Sequence, residues 1–139
     1  MRYVMVKDFK ELEQEIGNLR MQLGNLSRER YSAEASGNKT RVFDARINLA
    51  DSALRNCSAV TGYIREVSKT IANEIDEKNE MMAESLVAIK RTRNLDALHS
   101  WYTEELAPFW NKVEQEWYII SEMRKKGKIH PIEKQLIPR

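Results

Sequence analysis

The sequence is poor in cysteine, proline and glycine: its 139 residues include one Cys, three Pro and five Gly. A single cysteine cannot form an internal disulfide, so a disulfide-stabilised secreted fold is excluded. Two histidines and one cysteine also fall short of the four protein ligands of a usual zinc site. All three prolines lie at or after position 108, so no residue in the first hundred forbids a helix.

Long hydrophobic runs are missing as well. No stretch approaches the roughly 20 apolar residues that cross a bilayer, and the apolar patch within residues 1–10 is too short for a signal peptide. We therefore expect a cytoplasmic protein with no membrane partner. The period-two alternation typical of strands is also missing, which predicts a fold without a sheet.

The strongest pattern present is a heptad repeat between residues 9 and 33. It predicts an amphipathic helix whose apolar seam contacts another helix. Two arrangements satisfy the pattern. In the first, two chains pair as a parallel homodimer; in the second, residues 9–33 fold back antiparallel on residues 43–71 of the same chain. We predict that this apolar seam is the oligomer or helix interface. Its residues are Phe9, Leu12, Ile16, Leu19, Leu23 and Leu26.

Helical spacing continues beyond a turn predicted at Gly37. Residues 41–94 contain no proline and one glycine, so they predict either one helix of about 80 Å or two helices broken near Gly62 or within residues 73–79. A second, weaker apolar face in this region predicts contact with more than one neighbouring helix. Pro108 is expected at a helix start or at a kink.

We predict an all-α fold: an elongated helical bundle forming one structural domain. Its parts are an N-terminal heptad helix in residues 1–36, a long central helix or helix pair in 37–94, an aromatic-rich helical segment in 95–123, and a basic extended tail in 124–139.

Catalytic constellations have little support in this sequence. Cys57 falls within the apolar series, which is typical of a small buried hydrophobic residue, and neither histidine is near it in sequence. There is no Glu-x-x-His motif of the kind that di-iron bundles use, and no glycine-rich phosphate loop. We therefore predict no enzyme, no cofactor and no small-molecule substrate.

Charge is uneven along the chain although the formal net charge is only +2. Residues 1–36 are neutral, 37–72 basic, 73–105 acidic and 106–139 basic. Basic side chains are common phosphate ligands, although those in the central region do not form a single stripe. The candidate phosphate contacts are Arg41, Arg46, Arg55, Arg65, Lys125, Lys126 and Lys128.

Aromatic and apolar residues near the end of the sequence are the candidate partner-binding group. Tryptophans fill small cores, but they also anchor interfaces. The tail carries apolar residues in a segment that cannot bury them by itself, which is typical of a docking peptide or of a disordered end. The predicted partner-binding residues are Trp101, Trp110, Trp117, Ile132, Leu136 and Ile137.

These observations favour a non-enzymatic helical interaction protein that acts as an oligomeric scaffold, adaptor or assembly factor. We expect it to form a homo-oligomer and to bind another protein. The alternative is an accessory nucleic-acid-binding protein that oligomerises through its helices and contacts phosphates without sequence specificity.

Overall fold

The computed structural model describes residues 8–28 and 39–126, and within these ranges it contains helices and no strand. None of the described helices has the length and apolarity needed to cross a bilayer. The predicted all-α fold is confirmed. The elements are α1 (Phe9–Arg28), α2 (Lys39–Arg65), α3 (Lys69–Thr92), α4 (Leu95–Trp101), a π-helical segment (Tyr102–Leu106) and α5 (Ala107–Lys125).

The last three elements follow one another without a break, so residues 95–125 form one rod, called here the C-terminal helix. Pro108 lies in the first turn of α5, directly after the π-helical segment. A proline inside a continuous helix cannot donate a hydrogen bond to the preceding turn, and here that missing bond lies directly after the change from π- to α-helical hydrogen bonding. The proline therefore marks a local change of helix type and does not begin a new rod.

The central region is a pair of helices, as in the second predicted arrangement, and the break between them begins four residues after Gly62. Gly62 lies inside α2, where an added Cβ would meet no atom within 4 Å. The chain turns instead at residues 66–68, where the amides of Val67 and Ser68 both donate to the carbonyl of Ile64, at 2.8 and 2.7 Å. The Ser68 hydroxyl then accepts the amide of Ile71 and caps α3. Backbone hydrogen bonds and a serine cap form this turn. The position of a glycine in the sequence therefore does not locate it.

A second turn joins α3 to the C-terminal helix. Arg93 adopts a left-handed backbone conformation with φ of 52°, which costs a residue with a side chain roughly 1–2 kcal/mol. Its guanidinium group lies 4.6 Å from the ring centroid of Phe43 and 2.8 Å from the carboxylate of Asp44. Asn94 accepts the amide of Ala97 and caps α4. These contacts hold the turn against the beginning of α2.

Neighbouring helices run antiparallel. Phe9 near the start of α1 contacts Tyr63 near the end of α2, and Thr61 on α2 donates to Asp76 early in α3. Glu13 of α1 pairs with Lys125 at the end of α5. The arrangement is an up-down-up-down helical bundle, in which helices pack through apolar faces on their inner sides.

The core is a single cluster to which every helix contributes. α2 is its centre and contacts α1, α3 and α5. This position explains the second apolar face predicted for the region, because α2 must present apolar side chains on several sides. Its fully buried side chains, each 0% exposed, are Ala53, Leu54, Cys57, Val60 and Ile64.

Candidate interaction surfaces

The heptad seam of α1 is buried within this chain. Leu12, Ile16, Leu19 and Leu23 are between 0 and 3% exposed, and Phe9 is half-buried against the same core. The side chain of Leu26 lies outside the described set. α1 packs on α2 and on α5, so the seam has the antiparallel intramolecular neighbour of the folded-back arrangement, together with a second neighbour that the heptad alone did not indicate.

An aromatic cluster closes the end of the bundle where α1 begins. The ring of Phe9 lies 5.0 Å from that of Trp117 and 5.8 Å from that of Tyr63. The guanidinium of Arg124 covers Phe9 at 4.6 Å and Tyr63 at 5.4 Å. Burial raises the pKa of the Tyr63 hydroxyl. These cation–π and edge-on contacts stabilise the junction of α1, α2 and α5.

The three tryptophans among the predicted partner-binding residues are not on an open surface. Trp101, Trp110 and Trp117 are 7, 4 and 3% exposed and fill the core. Their size serves to complete a core in a short chain, so in this structure they contact their own bundle and no anchor of this kind faces outward. The other three predicted residues, Ile132, Leu136 and Ile137, lie outside the described residues.

The π-helical segment borders a small internal cavity. The hydroxyl of Tyr102 donates to the main-chain carbonyl of Leu23 on α1. Beside it lie Arg46, which is 9% exposed, and His99. The cavity measures about 10 Å³, which is room for about one water molecule. π-Helical turns are frequent at functional sites, but this cavity is too small for an organic substrate.

The candidate phosphate contacts are scattered, and ion pairs already occupy several of them. Arg46 is buried, Arg65 pairs with Asp76, and the guanidinium of Arg55 lies 3.0 Å from Asp51. Arg41 and Lys126 are exposed, and Lys128 lies outside the described residues. Those of the candidate contacts that the structure describes are therefore not brought together into one basic face.

Lys125 is held by a carboxylate on α1. Its ammonium group lies 3.0 Å from Glu13, which also accepts a hydrogen bond of 3.1 Å from Ser121. The hydrogen bond from Lys125 lowers the pKa of the Glu13 carboxyl, and the same bond raises the pKa of Lys125. Lys125 thus ties α5 to α1, which makes it less available to a phosphate group.

Cys57 lies in surroundings that keep its thiol unreactive. Cys57 is 0% exposed, and burial raises the pKa of its thiol. A raised pKa keeps the thiol protonated and inert, because the thiolate is the nucleophile. Within residues 8–28 and 39–126, no group of three or more His, Cys, Asp or Glu side chains is placed to hold a metal ion.

The surface between α3 and the C-terminal helix carries a groove of about 360 Å³. Met81 stands in it with 62% of its surface exposed. We name it the Met81 groove. It is lined by Lys78, Met81, Met82, Glu104, Glu105, Pro108, Phe109 and Lys112.

A second depression, of about 470 Å³, lies between α1 and α5. Tyr118 is 64% exposed there, and the ion pair between Arg20 and Glu114 crosses it. Asn111, Gln115 and Ile119 complete its lining. This surface is more polar than the Met81 groove, and the ion pair already links its two walls.

Sequence reasoning missed the Met81 groove. Met82 follows the helical apolar series, whereas Met81 lies among the glutamates of α3 and belongs to the face that the charge pattern marks as solvated. An exposed methionine beside a core methionine is the signal that could have indicated it, because adaptable methionines are common at protein-binding surfaces.

Comparison with protein-family models, curated proteins and solved structures finds no match for this chain. Its function is therefore inferred from its own residues.

Proposed function

We propose that this chain is a non-enzymatic helical interaction protein that acts as an oligomeric scaffold, adaptor or assembly factor. The observation that carries the proposal is the Met81 groove. Met81 is 62% exposed although the core of the bundle is complete without it. Apolar side chains set in a surface depression with a charged rim are typical of protein-binding sites. We place the protein in the cytoplasm as part of this proposal.

The groove suits a protein segment better than a small molecule. It is an open trough along two helices, and its apolar floor of Met82 and Phe109 is flanked by Glu104 and Lys112. Peptides and helices bind such troughs through a few apolar anchors while charges at the rim select the partner.

Light scattering coupled to size-exclusion chromatography tests the oligomeric part of the proposal. A mass of two or more times 16.3 kDa supports a homo-oligomer. A lower mass at high salt than at low salt would indicate that charged contacts contribute to the association. A mass of 16.3 kDa at every concentration and salt would contradict it. The same measurement on the Met81→Lys variant asks whether the groove is the surface used, and Met21→Lys is the matched control because Met21 is 65% exposed on α1.

Nucleic-acid binding stays the alternative proposal. The exposed side chains of Arg41, Arg55 and Lys126 support it, whereas the carboxylate beside Arg55 weakens it. Fluorescence anisotropy with labelled single-stranded and double-stranded oligonucleotides tests it over a range of salt. Binding whose logarithm falls steeply and linearly with the logarithm of salt concentration would favour it, since that slope counts the phosphates neutralised. An Arg41→Glu variant that binds as tightly as the wild type would contradict it.

A further inference from the structure

The Met81 groove lies in an acidic part of the surface. Lys78 and Lys112 line the groove together with Glu104 and Glu105, so its own lining is balanced. The exposed face of α3 adds carboxylates within one helical turn of the groove: Glu77 and Glu84 on either side of Met81, and Glu74 before Lys78. A segment that carries both apolar and basic side chains would complement this surface.

The chain contains such a segment, which begins at Lys126 and continues past the described residues. Residues 126–139 include four basic residues, Lys126, Lys128, Lys134 and Arg139, and one acidic residue, Glu133. Apolar residues are interleaved with them at Ile129, Ile132, Leu136 and Ile137. The basic residues match the glutamates around the groove, Glu133 matches its two lysines, and the apolar residues match the exposed side chains of Met81 and Pro108.

Distances along the chain favour docking between two copies. The segment starts at the end of α5, and Pro108 lies about 26 Å away along that helix at 1.5 Å per residue. If the segment runs back along α5 in an extended conformation, it uses about eight residues, at roughly 3.3 Å each, to cover that distance. Within one chain, only about six residues of the segment would then reach the groove, and Lys126 would stay at the far end of α5. In a second copy the whole segment can reach the groove.

We propose that the Met81 groove binds segment 126–139 of a second copy of this chain, with the apolar residues of the segment against Met81 and Pro108 and its basic residues facing the glutamates. The inference rests on the proposed function, since it names the surface and the segment through which the oligomer forms. Each chain offers one groove and one segment, so two copies can exchange segments as a closed dimer, and further copies can join head to tail as a ring or an open chain.

Charge reversal in the full-length protein tests the contact. The dissociation constant for self-association, measured by sedimentation equilibrium, should rise tenfold or more in the Glu104→Lys/Glu105→Lys variant. The matched control is Glu11→Lys/Glu66→Lys, because both of those glutamates are exposed and lie away from the groove; its constant should stay within twofold of the wild type. Adding Lys126→Glu/Lys128→Glu to the groove variant should restore association to within about threefold, because opposite charges then face each other again. Circular dichroism should show the same melting temperature, within about 2 °C, for the variants that are compared.

Crosslinking between isotopically distinct copies locates the segment. A photoreactive benzoylphenylalanine is placed at position 136, and equal amounts of ¹⁴N- and ¹⁵N-labelled full-length chains are mixed. We expect crosslinks to Met81 or Met82. About half of the crosslinked pairs should contain one ¹⁴N chain and one ¹⁵N chain, because copies pair at random. Crosslinks only between residues of the same label would show docking within one chain and would overturn the proposal, as would crosslinks to another surface.

The outcomes separate this inference from the proposed function. Self-association that is unchanged by Glu104→Lys/Glu105→Lys overturns the inference and leaves an oligomeric protein that uses another surface. A wild-type chain that remains monomeric overturns the inference and the homo-oligomeric part of the proposed function together.

Discussion

Replacing Leu12 by alanine tests how α1 is held in the bundle. Leu12 is 0% exposed and packs in the core shared with α2 and α5. The substitution removes three carbon groups, which lose about 0.8 kcal/mol each in transfer free energy, or about 2.4 kcal/mol in all. Incomplete collapse around the missing atoms adds a cavity term, so the free energy of unfolding should fall by about 3–4 kcal/mol. With a urea slope of about 2 kcal/mol per molar, the unfolding midpoint should fall by about 1.5–2 M.

Urea unfolding followed by far-UV circular dichroism measures this loss. Met21→Ala is the matched control, because Met21 is 65% exposed on the same helix, and it should change the free energy of unfolding by less than about 0.5 kcal/mol. Sedimentation equilibrium on the folded Leu12→Ala protein should give the same self-association as the wild type, since the leucine is buried within one chain. A loss below about 1 kcal/mol together with weakened self-association would refute the reasoning and would place the seam between chains.

Three further predictions concern single side chains. Tyr102→Phe removes the hydrogen bond that the hydroxyl donates to a main-chain oxygen of α1, so it should lower the free energy of unfolding by about 1 kcal/mol, whereas the same change at Tyr118, which is 64% exposed, should have almost no effect in the same urea assay. Cys57 should react with a thiol-specific reagent only as the protein unfolds, because it is buried and its pKa is raised; immediate labelling of the folded chain in a timed absorbance assay would contradict this. The pKa of Glu13 is lowered from 4.5 in the folded state by the hydrogen bond from Lys125, so the stabilisation is present above pH 4.5 and is lost as pH falls through the lowered value. The difference in unfolding free energy between the wild type and Glu13→Gln should therefore shrink as the solution is acidified, and a difference that grows would contradict the assignment.

Helix content and burial of the heptad residues could be predicted from the sequence because both depend on local spacing. A period between three and four places Leu12, Ile16, Leu19 and Leu23 on one face of α1, and an apolar face must be covered by something. The spacing does not say what covers it. The same leucines fit a second chain or a second helix of the same chain, and the choice depends on how α2 and α5 are arranged in space.

Features that depend on capping and on tertiary contacts could not be predicted in this way. The turn after α2 is built from the amides that converge on Ile64 and from the Ser68 cap, and neither glycine nor proline marks it. The left-handed conformation of Arg93 is held by Phe43 and Asp44, which lie about fifty residues earlier in the chain. Sequence spacing carries no record of such distant contacts, and the Met81 groove was missed for the same reason.

The heptad leucines cannot stabilise the bundle and join two chains at the same time. Because Leu12 and its neighbours on the seam are covered by α2 and α5, a homodimer built on that seam would have to open the bundle and expose its core. An oligomer of the folded chain must therefore use side chains that the core leaves outside, of which Met81 is 62% exposed. Folding and association then depend on different residues and respond to different substitutions. Leu12→Ala should lower stability and leave association unchanged, whereas Met81→Lys should weaken association and leave the free energy of unfolding within about 0.5 kcal/mol of the wild type; a parallel loss of both properties in either variant would show that the two processes share one interface.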